Sequence, residues 1–273
     1  MHNRDEATST HVIRKLLASC FLFLAACQTV EETGRSQLAI FGDDYMTEMG
    51  VAAFGEATKD FRTLTGTAQS RMLERVGKRI ATACGRKYEW EFKLLDAPKE
   101  VNAFCLPGGK IAVYTGILPI TLNEDGLAIV LGHEVAHATS SHGNERISQG
   151  IIAELGLVGV AAALEFTKLD DTAKGLIVAG LGVATNLAVL LPFSREHESE
   201  ADEIGLLFAI RAGYDPEEGP RLWERMAKLG GGGPTFLSTH PNSEDRAQRL
   251  RELIPLMKQR VAQERAGTYV PQK

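Results

Sequence analysis

The chain carries no basic stripe and no cationic patch interleaved with aromatics. Its 30 Lys and Arg stand against 35 Asp and Glu, the net charge is −5, and aromatics make up 7% of 273 residues. That excludes a nucleic-acid partner, and the mild acidity speaks only to solubility. Tandem 34-residue helical repeats are also absent. Cysteine is scarce, at 4. What remains, 44% hydrophobic and 24% charged residues, suits one well-cored domain.

The first apolar run, Leu16 to Ala26, is too short to cross a bilayer but suits the core of an export signal, with Arg14 and Lys15 ahead of it. It ends in Leu24-Ala25-Ala26-Cys27, which resembles the bacterial lipobox, where the signal is cut before an acylated cysteine. The expected organisation is a lipoprotein signal over 1–26, a lipidated N-terminus and tether over 27–40, a main domain over 41–260 and a tail over 261–273. Because Gln28 rather than an aspartate follows Cys27, the expected address is the periplasmic face of the outer membrane. With Cys20 removed and Cys27 lipidated, Cys84 and Cys105 are left in an oxidising compartment, either bridged or as two buried thiols.

His133-Glu134-Val135-Ala136-His137 carries the chemistry. On a helix, positions i and i+4 share a face, so both imidazoles can bind one zinc, and Glu134 flanks it as a general base for water. Asn123-Glu124-Asp125 supplies a helix start, and Leu127, Ile129, Val130 and Leu131 supply its buried side. The extension that would add a third histidine is missing, since Ser140 and Gly143 occupy its positions. His142 lies roughly 140° off the metal-facing side if the helix continues, which places it behind a ligand or on the surface. The third ligand is therefore sought in Glu196-His197-Glu198-Ser199-Glu200-Ala201-Asp202. Only Glu198 has an aspartate four residues on, so Glu198 is the candidate ligand and Asp202 the acceptor for a ligand imidazole. Glu196 and Glu200 read as solvated charges on a polar helix face.

With these motifs, and with Asn102 to Gly109, Val113-Tyr114-Thr115-Gly116, Ser238-Thr239-His240-Pro241 and Arg246, the chain resembles the HtpX-like and Oma-type zinc peptidases. These are relatives of the CAAX prenyl protease and pair an HExxH helix with a later ExxxD helix. The resemblance implies His133, His137 and Glu198 as ligands of one Zn2+ per chain. It also implies a substrate class of unfolded or misassembled envelope proteins and, since no repeats follow, a chain without the peptide-binding extension of longer relatives. Cys105 departs from the small residue more usual there.

The expected fold is α+β and predominantly helical: a zincin-like single domain with the HExxH helix, the ExxxD helix and a small antiparallel sheet. Its strands are read at Trp90–Leu95, Val101–Leu106 and Lys110–Tyr114, after a helix near Gln69–Cys84 closed by Gly85. Asn102, Ala103, Phe104 and Cys105 form the candidate edge to which a peptide substrate adds as a further strand. Two apolar stretches, Ile151–Phe166 and Gly175–Phe193, are read as a helical hairpin covering the site, with a membrane span at the second as the rival reading. Gly230 to Gly233 form a loop leading to His240, which either occupies the open metal position or, with Arg246, stabilises an oxyanion. The leading expectation is a lipid-anchored periplasmic zinc metalloendopeptidase. The alternatives are a non-catalytic zinc-stabilised chaperone or assembly factor for outer-membrane proteins and an intramembrane peptidase.

Overall fold

The structure, a computed structural model, describes residues 27–152, 193–229, 236, 240 and 245–271. The export signal, most of both apolar stretches (153–192), the glycine loop and Thr239-His240-Pro241 except His240 lie outside the described residues.

The described elements are β1 (Cys27–Thr29), β2 (Ser36–Leu38), α1 (Asp43–Thr58), α2 (Ala68–Cys84), β3 (Glu91–Leu95), β4 (Ala103–Leu106), β5 (Lys110–Tyr114), α3 (Leu118–Thr121), α4 (Glu124–Thr139), α5 (Arg195–Arg211), α6 (Glu218–Ala227) and α7 (Arg246–Arg265). Residues 142–152 are also helical. None of the described helices is long and apolar enough to cross a membrane.

Local chemistry accounts for the helix ends that frame the site. Asn123 caps α4 by accepting from Gly126 N, with Glu124 and Asp125 in the first turn. Ser194 caps α5 through His197 N. Thr67 and Ser70 form a reciprocal capping box on α2, and Gly85 ends that helix at φ 74°. Every residue of α4 from Gly126 to Thr139 is buried, so this helix runs through the core. It packs between α2, the sheet and α5, in a cluster that includes Leu73, Val76, Ile80, Leu131, Val135 and Phe208.

α4 and α5 approach so closely that their backbones touch. A Cβ on Gly132 would sit 2.5 Å from Gly205 O, and one on Gly205 would sit 2.6 Å from His133 N. This crossing point sets the site. Glu198, Asp202 and Gly205 recur at helical spacing on one face of α5, so glycine contact at Gly205 brings both carboxylates onto the His133 face of α4.

The sheet has strand order β3-β5-β4. β4 and β5 pair antiparallel, with Phe104 opposite Ala112, but β3 pairs parallel to β5, with Leu94 opposite Val113. The antiparallel sheet expected from the sequence is thus a mixed one. The hairpin at Pro107-Gly108-Gly109, with φ of 81° and 79° at its glycines, returns β5 between its two partners and leaves β4 at an edge.

The 27–40 segment is not a loose tether. β1 and β2 pair antiparallel, Cys27 opposite Leu38, and the turn between them docks on the domain. Glu32 is held by Arg211 at 2.8 Å and by Arg260, while Arg35 bridges Glu145 and Glu200, each at 2.7 Å. Nor does the domain stop at 260: α7 continues to Arg265, with Val261 buried and Glu264 on Arg211. Cys84 and Cys105 are free thiols that donate to the carbonyls of Ala81 and Leu106, so the bridged alternative is not formed. Burial raises the pKa of both thiols, that of Cys105 strongly, which disfavours the thiolate needed for exchange.

Candidate metal centre

Side chains of three segments converge where α4 crosses α5. His133, His137, Glu198 and His240 each present one ligand atom, all within 4.8 Å of one another, and all four residues are buried. His133 Nε2 lies 3.1 Å from His137 Nε2 and 3.2 Å from His240 Nδ1. Glu198 reaches the same point, its Oε1 2.9 Å from His240 Nδ1 and 3.2 Å from His137 Nε2, its Oε2 3.5 Å from His133 Nε2.

This donor set fits zinc. Two nitrogens bound to one tetrahedral zinc at about 2.0–2.1 Å stand roughly 3.3 Å apart, close to the separation of the two α4 imidazoles. Charge points the same way, because three buried carboxylates, Glu134, Glu198 and Asp202, gather beside Arg246. Among the described residues Glu134 Oε1 has no hydrogen-bond donor. Buried carboxylate oxygens without partners are costly unless a cation is near.

Asp202 and Arg246 support this cluster from behind. Asp202 Oδ1 lies 3.1 Å from His133 Nδ1, placed to accept its proton and leave Nε2 for a metal. Arg246 donates to both Asp202 oxygens at 2.5 and 2.7 Å, lies 2.8 Å from Glu198 Oε2 and sits 3.4 Å over the Trp223 ring. Fully committed in this way, Arg246 orients ligand-bearing carboxylates and is not turned toward an oxyanion. Burial opposes ionisation of Glu198 and Asp202, yet the surrounding histidines and Arg246 hold both below the usual carboxylate range. Burial raises Glu134 and outweighs its cationic neighbours.

Behind His137 lies a chain that the sequence did not reveal. Ser140 caps α4 and Ser141 has φ 56°, so the helix breaks before His142. The continued-helix angle therefore does not apply. His142 is fully buried, with Nδ1 2.9 Å from His137 Nδ1 and Nε2 2.9 Å from Glu200 Oε2. Burial depresses its pKa to about 4. Glu200, expected in solvent, is buried and takes Arg35 and the Thr33 hydroxyl as well; Glu196 is exposed. Glu145 holds Arg35 through both nitrogens and His197 Nε2 at 3.0 Å.

The candidate substrate edge flanks the centre. Tyr114 N donates to Asn102 O, which turns the backbone of Asn102 and Phe104 toward β5 and that of Val101, Ala103 and Cys105 outward. Phe236 N donates to the outward Val101 O, and His240 N donates to Phe236 O. Phe236 and His240 are thus tied to the start of this edge, with the Phe236 ring stacked on His240. A cavity of about 70 Å³ runs beside His137, lined by Tyr88, Cys105, Leu106, Pro107, Ala138 and Phe193 among others.

A predominantly helical domain that buries two histidines of one helix and a glutamate of a later one around a single point has the metal centre of a zincin-like metallopeptidase. The sequence profile described as Peptidase family M48 matches residues 67–254, and the chain belongs to that family. It is 40% identical to the mitochondrial metalloendopeptidase OMA1 of Schizosaccharomyces pombe over 67% of this chain and 52% of that protein. It is 34% identical to the Arabidopsis thaliana protein of that name over 79% of this chain and 41% of the relative. The beta-barrel assembly-enhancing protease of Escherichia coli is 29% identical over 63% of this chain and 36% of its own length. The chain spans about half the length of the relatives it matches, or less.

Proposed function

We propose that the chain is a zinc-dependent endopeptidase, held by an acylated Cys27 to the periplasmic face of the outer membrane, that cuts unfolded or misassembled envelope polypeptides. The observation that carries the reading is the buried four-donor cluster with Glu134 beside it. His133, His137 and Glu198 would hold zinc, which would supply Lewis-acid polarisation of a scissile carbonyl and of the attacking water. Glu134 takes the proton from that water and passes it to the leaving amine. The outward carbonyl of Ala103 and the outward backbone groups of Cys105 hold an extended substrate as an added strand, the Ala103 N–H being taken by Asn102 Oδ1, and the cavity beside His137 receives a side chain. Main-chain recognition of this kind demands an unpaired strand, which folded proteins seldom offer. The names of the beta-barrel assembly-enhancing relatives support an envelope substrate.

Two results test this reading. Casein and a reduced, unfolded globular protein should both be cut by the full chain while the native form of the same globular protein is spared. Equal cleavage of native and unfolded forms would refute added-strand recognition. For the anchor, Cys27→Ser should leave an unacylated precursor; unchanged lipid labelling of that variant removes the assignment.

A further inference from the structure

We propose that the amino-terminal hairpin is a working part of the metal centre. Arg35, through Glu200 and His142, sets the tautomer and orientation of His137. The inference rests on the reading of His133, His137 and Glu198 as metal ligands.

The protons can be placed one after another. His137 Nε2 faces His133 and Glu198, so when that nitrogen ligates, the proton of the neutral ring must sit on Nδ1. Only one proton fits the 2.9 Å between His137 Nδ1 and His142 Nδ1, so His142 accepts there and carries its own proton on Nε2. That proton goes to Glu200 Oε2, 2.9 Å away. The reverse arrangement would place a proton on His137 Nε2 and remove the lone pair a metal needs. A carboxylate at Glu200 selects the productive arrangement, and its partial charge, passed through His142, makes His137 a stronger donor.

Glu200 is itself held from outside. Arg35 Nε donates to it at 2.7 Å, and the rest of the guanidinium forks onto Glu145 at 2.7 and 3.0 Å. Glu145 also fixes His197, whose ring stacks on His142 at 4.5 Å and 19°. Every heteroatom of the Arg35 guanidinium therefore serves a residue on the path to His137 or the stack beside it, apart from a 3.3 Å contact to Gln37. Thr33 and Arg35 precede residues 67–254, the part the family profile covers.

The test uses the full chain and Zn2+ itself, with affinity measured against a chromophoric chelator and the ligand field read from the visible absorption of the Co2+-substituted protein. His142→Phe keeps a flat ring on His197 but removes the acceptor. It should weaken zinc binding about 10- to 100-fold and shift the cobalt bands. Arg35→Ala should move both readouts in the same direction by less, and the double variant should bind no more weakly than His142→Phe alone, because both act along one path. Glu32→Gln loosens the other anchor of the hairpin, so it should lower Tm while leaving zinc affinity and cobalt spectrum unchanged. Wild-type affinity and spectrum in His142→Phe would overturn the inference even if Arg35→Ala failed to fold, and so would additive losses in the double variant. A wild-type chain that binds no zinc would instead remove the metal-site reading beneath it.

Discussion

Glu198→Ala should lose its zinc and cut casein at less than about one thousandth of the wild-type rate, a loss of at least ~4 kcal/mol in transition-state stabilisation. The carboxylate touches both α4 imidazoles and His240. Its removal takes away one of three protein ligands and leaves Arg246 facing an empty space. Glu196→Ala, on an exposed position of the same helix, should keep wild-type zinc content and activity. Metal analysis with a casein assay checks both, and zinc retained by Glu198→Ala would show that the third ligand lies elsewhere.

His240→Ala separates two roles with opposite outcomes. A histidine that donates to an oxyanion would, when removed, slow turnover about 100- to 1000-fold. The structure instead sets His240 Nδ1 among the ligand atoms, 3.2 Å from His133 Nε2 and 2.9 Å from Glu198 Oε1, and bonds His240 N to Phe236, whose own N–H holds Val101 O at the candidate substrate edge. A residue in that place closes the position where water and substrate must enter. Basal casein cleavage and self-cleavage should therefore rise on the order of tenfold, equivalent to a latch worth about 1.4 kcal/mol, with zinc content kept. A fall in turnover, or no change in either rate, would contradict the latch.

The parts of the centre legible in the sequence are those whose geometry is local. Spacing along one helix places His133 with His137 and Glu198 with Asp202, and Asn123 and Ser194 announce where those helices start. The crossing that joins the two helices was overlooked, although Gly132 directly before the motif and Gly205 two turns after Glu198 were visible signals. Pairing and burial between distant segments left no local trace. The parallel partnership of β3 with β5 depends on which strand the hairpin returns beside. Glu200 is a buried charge because the hairpin of residues 27–38 and His142 both close on it. His142 lies behind a ligand, one of the two places its spacing allows, but it arrives there through the helix break at the left-handed Ser141 and not by the angle of a continued helix.

Zinc content and casein cleavage, measured together for the wild type and for Glu134→Gln, test the central claim most directly. Glu134 is not among the four ligand residues of the cluster, and its Oε1 lies 3.5 Å from His240 Nε2, so the amide should leave the metal in place. Without a base, cleavage should fall by about 10²- to 10⁴-fold. A catalytic centre requires equal zinc in both proteins and activity in the wild type alone. Equal zinc with equal cleavage, or with none in either protein, would contradict it, and the latter result would make the chain a zinc-stabilised binding protein.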